Sequence, residues 1–270
     1  MKLKMQLEGK LILLTGATGG IGKAIARHLA AQGAQIILVG RSLHALQALS
    51  RELDIKRNGS FILQADITTT VGRDTIRTAL LALQRPLDGL INCAGINAFG
   101  LLTDLDPEKI EQLTATNIVA PILLTRLVLP FLNTQSGRIL TIGSSFGGLG
   151  YPGFTAYCAT KFAQRGFSEA LRRELSDSKI QVAYLAPRAT NTSLNSLAVF
   201  EMNRELGNSM DEPDVVASVV EKMLLAKQMR DRNIGWPERF FLQINSIFPK
   251  IIDGALRKQL SIIKRYAHCV

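Results

Sequence analysis

The sequence predicts the α/β class: a single doubly wound parallel sheet with helices on both faces, followed by an amphipathic helical extension at the carboxyl end. Three observations lead there. Short apolar runs such as QIILVG and IQVAYLAP alternate with longer helical segments. These runs are apolar nearly throughout rather than at every second residue, the pattern of strands covered on both faces. A glycine-rich turn, TGATGGIG at Thr15 to Gly22, joins the first run to an alanine-rich helical segment. Right-handed crossovers between such strands build a doubly wound sheet that receives ligands at the carboxyl ends of its strands.

The elements follow in order. KLILLT reads as the first strand and Gly20 to Gln32 as the first helix; QIILVG is the second strand and LHALQALSRELDIKR its helix. SFILQAD is a third strand, followed by a polar helix from about Thr70 to Gln84, and LDGLINCAG is a fourth strand with its turn. GRILTIGSS and IQVAYLAP are the fifth and sixth, separated by the helical segment AYCATKFAQRGFSEALRREL. DEPDVVASVVEKMLLAK opens with acidic residues and Pro213, a good helix start. The chain divides at about residue 235, leaving residues 236–270 as a segment both apolar and basic.

At 270 residues the chain suffices for one core, or one core with an appendage. Its hydrophobic share of 47% with only 6% aromatics suits an aliphatic α/β interior. The amino terminus lacks an apolar run ending in a small-residue cleavage site, so no signal peptide is expected. No run of about 18 uncharged apolar residues is found, which argues against a spanning helix; the longest candidate, Ile118 to Leu132, is broken by Arg126 and two prolines. Three cysteines, Cys93, Cys158 and Cys269, and three scattered histidines show no metal-site spacing. The odd cysteine count fits a reducing compartment, so the cytoplasm is the expected location. A net charge of +10 suits an anionic cofactor, membrane surface or nucleic acid; without an aromatic-interleaved basic ribbon, nucleic acid is not an expected partner.

Two motifs carry chemistry. In the glycine turn, Gly16, Gly20 and Gly22 let the chain turn sharply, and the helix amino end that follows offers N–H groups and a positive dipole to a pyrophosphate. Tyr157 and Lys161 stand four residues apart, on one helical face. A lysine cation there draws the phenol pKa down from roughly 10, giving a proton donor and acceptor for alcohol–carbonyl chemistry. Cys158 points elsewhere on that helix and is read as packing.

With its spacing T-G-x-x-x-G-x-G, the chain resembles the short-chain dehydrogenase/reductase family, and the likeness runs from about Gly9 to Thr192. The family's Asn-Ala-Gly motif appears as Asn92-Cys93-Ala94-Gly95, with Ile91 where another Asn is common. Asp66, with Ile67 beside it, matches the acid at the adenine ring, and Asn117 the helix asparagine that orders the lysine and a water chain. Ser144, thirteen residues before Tyr157, falls where the family has its catalytic serine; Ser145 is a spare hydroxyl, and the spacing favours Ser144. The resemblance implies a Rossmann-type catalytic domain over residues 1–235, with Ser144, Tyr157, Lys161 and Asn117 as the catalytic set. It implies dinucleotide contacts from Thr15, Gly16, Thr18, Gly20, Ile21, Gly22, Arg41, Asp66, Ile67, Asn92, Ala94 and Gly95, and from Tyr157, Lys161, Pro187 and Thr190. Thr192 is a further candidate. Arg188 replaces the glycine that commonly follows this proline, which points to a substrate or phosphate contact.

The second strand ends in Gly40-Arg41-Ser42, with no carboxylate to meet a ribose 2′-hydroxyl. Arg41 pairs well with a 2′-phosphate, so NADP(H) is favoured over NAD(H), and reduction over oxidation. The substrate loop, about residues 190–212, carries Leu194, Leu197, Val199, Phe200 and Met202, favouring a hydrophobic carbonyl compound of lipid, acyl or steroid type. Oxidation of a hydrophobic secondary alcohol and a non-catalytic dinucleotide-binding module are the alternatives. In the extension, Phe240, Phe241, Ile244, Ile247, Phe248, Ile251, Ile252, Leu256, Leu260 and Ile263 recur at helical spacing among Lys250, Arg257, Lys258, Lys264 and Arg265. Such helices dock on their own domain, on another copy in a homodimer or homotetramer, or on an anionic bilayer. All three stay open here.

Overall fold

The computed structural model describes residues 7–54, 59–236 and 238–268. The amino-terminal residues 1–6, on which the signal-peptide expectation rests in part, the end of the second helical segment (residues 55–57) and Cys269 lie outside the described residues. The elements run β1 (Leu11–Thr15), α1 (Gly20–Ala31), β2 (Gln35–Gly40), α2 (Leu43–Glu52), β3 (Phe61–Gln64), α3 (Thr70–Ala82) and β4 (Gly89–Asn92). Next come α4 (Pro107–Thr114), a π-helical turn (Ala115–Val119), α5 (Ala120–Val128), β5 (Arg138–Ile142), α6 (Thr155–Glu174) and β6 (Gln181–Ala186). The chain continues through α7 (Leu197–Glu205), α8 (Pro213–Leu225), β7 (Arg232–Asn233), α9 (Glu238–Ile247) and α10 (Pro249–Ala267).

The sheet is parallel, in the order β3-β2-β1-β4-β5-β6-β7. Alternate residues of β1 feed opposite layers, as strand pleating requires. Ile12 and Leu14 join Ile25, Leu29, Val216 and Val220 under α1 and α8. Leu11 and Leu13 join Ile76, Leu124, Val128 and Leu171 under α3, α5 and α6. Burial on both faces explains the unbroken apolar runs. Because β1 pairs with both β2 and β4, the strand order reverses there, and a crevice opens above their carboxyl ends.

The structure adds a seventh strand, β7, of two exposed residues. It also corrects the reading of Ile118 to Leu132 as a broken segment. The helical run Pro107–Phe131 is continuous, with mean hydropathy 1.5 in its most apolar window, long and apolar enough by composition to cross a membrane. Pro121 is the second residue of α5, directly after the π-helical turn that links α4 to α5. The inward stripe of α5 packs on the sheet, burying Leu124 and Val128.

The extension docks on the domain. Ile252, Ile263 and Ala267 are buried, the last two in a third core with Phe99, Phe154, Tyr157, Val199 and Met202. Arg265 and Tyr266 anchor α10 to Glu205 at the end of α7.

Candidate active site

The glycine turn meets β4 at the switch point. Gly16 has φ +64°, and a side chain there would come within 2.7 Å of the Ala94 Cα. A Cβ on Gly20 would approach the Thr192 methyl to 2.5 Å. Thr15 Oγ1 accepts hydrogen bonds from the Cys93 and Ala94 N–H groups at 3.0 and 3.1 Å, clamping the two strand ends. Gly19, at the amino end of α1, offers no side-chain cap, so the first N–H groups of the helix face the crevice without a side-chain partner. This cradle, which any Cβ would fill, fits a dinucleotide pyrophosphate.

A cavity of about 580 Å³ runs from this turn across the sheet's carboxyl edge. Every member of the predicted cofactor set lines it except Thr15 and Asn92. Those two lie beneath the floor: Thr15 as the clamp just described, Asn92 donating to Thr125 Oγ1 at 3.0 Å. Arg41 is exposed at the end of β2, and its carbonyl accepts a hydrogen bond from Gln64. Burial raises the pKa of the Asp66 carboxyl, but hydrogen bonds from the Thr68 hydroxyl (2.7 Å) and N–H (2.9 Å), with Arg41 nearby, hold it below the ordinary aspartate value.

Ser144, Tyr157 and Lys161 meet in this cavity. The Ser144 hydroxyl accepts from the Phe146 N–H at 3.1 Å and pairs with the Tyr157 phenol; Ser145 is buried and donates its N–H to the Pro187 carbonyl. Beneath them lies Tyr184 of β6, which sequence reasoning missed because it looks like one more apolar strand residue. Its hydroxyl accepts from the Ser144 N–H at 3.0 Å and donates to the Ser144 carbonyl at 3.1 Å. The same ring fills the space that a Cβ at Gly143 or Gly147 would need.

One electrostatic expectation is corrected. Tyr157 is buried on α6, and burial pushes its phenol above its ordinary pKa; the Ser144 hydrogen bond lowers it only in part, and Lys161 is not among the groups that shift it. The Lys161 Nζ lies 5.4 Å from the ring centroid. Burial also lowers the lysine, to about 8, with the neighbouring Cys93 a smaller opposing influence. Desolvation disfavours both charged forms.

Asn117 is fully buried. Set in the π-helical turn, its side chain is pinned to the Ile96 N–H and carbonyl (both 2.9 Å) and to Thr160 Oγ1 (3.1 Å). Its link to Lys161 runs through buried Gln164, a residue the sequence reading overlooked. Lys161 Nζ donates to Gln164 Oε1 at 2.9 Å, and Gln164 Nε2 donates to the Asn117 carbonyl at 2.7 Å. Cys158 is packing: it is buried, its sulfur accepts the Tyr151 N–H, and burial pushes its thiol up to about 11.

The far wall is apolar. Leu194, Val199 and Met202 line it as expected, whereas Leu197 is exposed and Phe200 does not reach it, because residues 197–205 form a helix with only one inward face. Phe241, Leu242, Ile252 and Leu256 of the extension complete the wall. Arg188 also lines the cavity, but its guanidinium is committed to Asp211 at 2.6 Å and faces Glu238 of α9 at 3.6 Å. It ties the extension to the loop after β6 instead of standing ready for a phosphate.

Residues 10–202 match the profile of the short chain dehydrogenase family. The chain is 35% identical over 191 residues to the 3-oxoacyl-[acyl-carrier-protein] reductase FabG of Escherichia coli, covering 70% of this chain and 77% of that one. It is 31% identical to the NADP-dependent 3-hydroxy acid dehydrogenase of Schizosaccharomyces pombe, covering 84% and 90% of the two chains. A short chain dehydrogenase from Burkholderia cenocepacia, solved in complex with NADP, superposes with a TM-score of 0.76 at 27% identity, covering 87% of this chain and 99% of that one. The chain belongs to the short-chain dehydrogenase/reductase family, oxidoreductases that bind a nicotinamide dinucleotide.

Proposed function

We propose that the protein is an NADPH-dependent reductase of a ketone or aldehyde on a hydrophobic, lipid-like or acyl-bearing substrate. The observation that carries this reading is the shape of the site: two paired hydroxyls, Ser144 and Tyr157, at one end of a cavity whose far wall is apolar. The carboxylate-free end of β2 with Arg41 supports NADPH, as does the NADP bound by the Burkholderia relative.

The bound cofactor supplies the hydride. Tyr157, kept neutral by its raised pKa, donates its proton to the substrate oxygen as negative charge grows there. Ser144, fixed by Tyr184 and the Phe146 N–H, hydrogen-bonds the same oxygen. Lys161, oriented by Gln164, would hold the nicotinamide ribose. The glycine cradle and Arg41 would hold the pyrophosphate and the 2′-phosphate.

The same groups serve the reverse reaction, oxidation of a hydrophobic secondary alcohol, and the similarity to the 3-hydroxy acid dehydrogenase of Schizosaccharomyces pombe favours that as a second reading. The test is NADPH consumption across a panel of keto compounds of increasing chain length, with short sugars as controls. Turnover that rises with chain length supports the proposal. Turnover confined to polar substrates, or seen only for alcohols with NADP+, contradicts it.

A further inference from the structure

Six large apolar side chains stand exposed within one short stretch of the extension: Trp236, Phe240, Phe241, Ile247, Phe248 and Ile251. Trp236, Phe240 and Phe241 form a chain of ring contacts with centroids 6.0 and 6.5 Å apart. Ile247, Phe248 and Ile251 continue the patch around the elbow where α9 gives way to α10. α9 buries no residue at all, although half the residues in it are apolar. Exposure on this scale costs solubility unless something covers it.

The surrounding charge says what covers it. On the same two helices Arg239, Lys250, Arg257 and Lys258 are exposed, against Asp253 as their exposed acid; Glu238 is turned inward toward Arg188. A second copy would bring the same basic rim and the same net charge of +10, whereas an anionic lipid surface complements both the apolar tip and its rim. The inner sides of the two helices, through Leu242, Ile252 and Leu256, wall the cavity that holds Tyr157, and Phe241 belongs to both the patch and the cavity lining.

We infer that the α9–α10 elbow inserts into the interfacial region of an anionic phospholipid bilayer, seating the mouth of the cavity at the membrane surface. The inference does not depend on the substrate or the direction of the reaction, so vesicle binding and carbonyl reduction succeed or fail separately.

The experiment is co-sedimentation of the full chain with vesicles of phosphatidylcholine alone or mixed with phosphatidylglycerol. A variant carrying Phe240→Ser, Phe248→Ser and Ile251→Ser is measured beside it; none of the three lines the cavity. Expected is binding to the mixed vesicles that exceeds binding to phosphatidylcholine by about tenfold or more and weakens with salt, and a loss of about tenfold or more in the triple variant. NADPH titration, with an unchanged dissociation constant, confirms that the variant is folded. The inference is overturned if the intact chain stays in the supernatant with both vesicle types, or if the triple variant binds as well as the unaltered chain. It is also overturned if sedimentation velocity shows the three substitutions converting a dimer to a monomer, which would make a second copy the occupant.

Discussion

Lys161 on α6 donates a hydrogen bond from Nζ to Oε1 of Gln164, one turn further along the same helix, at 2.9 Å. Gln164 in turn donates from Nε2 to the Asn117 carbonyl in the π-helical turn, at 2.7 Å. The lysine's position is therefore set by a side chain that does not line the cavity.

Gln164→Leu removes that acceptor while keeping a similar volume. Hydrogen bonds to charged groups contribute about 1.5–3 kcal/mol, so NADPH turnover should fall roughly ten- to hundredfold. Gln164→Glu places a carboxylate beside the ammonium and should move the lysine's titration to higher pH. Steady-state kinetics and a pH profile of both variants check this; an unmoved pH profile in Gln164→Glu would make the residue mere packing.

Burial lowers Lys161 to about 8, so its ammonium is fully present only well below that pH. If the charged form is the working one, kcat/KM for NADPH falls as pH rises through about 8, and Lys161→Arg, which stays charged, shifts that fall beyond reach. Stability runs the other way. The unfolded lysine keeps its proton to about 10.4, so between these values the unfolded state binds more protons and stability rises with pH. Lys161→Met should abolish that rise in urea denaturation from pH 8 upward.

Gly16 combines a positive φ with a backbone contact, so Gly16→Ala faces both strain and a clash with Ala94. A cost of about 1–3 kcal/mol in unfolding free energy is expected, together with loss of dinucleotide binding. Urea unfolding and an NADPH fluorescence titration measure the two effects.

Arg41→Ala should weaken NADPH about tenfold or more and leave NADH nearly unaffected, because a charge-assisted contact to the 2′-phosphate exists only with the former. Titration of both cofactors is the check. Tighter NADH than NADPH binding by the unaltered protein would reverse the assignment.

Much of this molecule is legible in its residues. β1, β2, β4, β5 and β6 announce themselves because burial on both faces makes them apolar throughout, and the glycine turn because only glycine fits against Ala94 and Thr192. β7 is hidden: its two residues, Arg232 and Asn233, are exposed and carry no apolar signal. Gln164 and Tyr184 are hidden because their partners, Asn117 and Ser144, lie 47 and 40 residues away and are joined only by the fold. The pairing of Arg188 with Asp211 and Glu238 is of the same kind. The Tyr157 phenol shows the limit most clearly, since spacing reveals the neighbouring lysine but not the burial that dominates its proton affinity.

The central claim is that the Tyr157 hydroxyl delivers the proton. Single-turnover NADPH oxidation with a keto substrate, comparing Tyr157→Phe with the unaltered chain, tests it most directly. A rate at least about a hundredfold lower is expected, with the NADPH dissociation constant changed little. A rate within twofold of the unaltered chain's would contradict it.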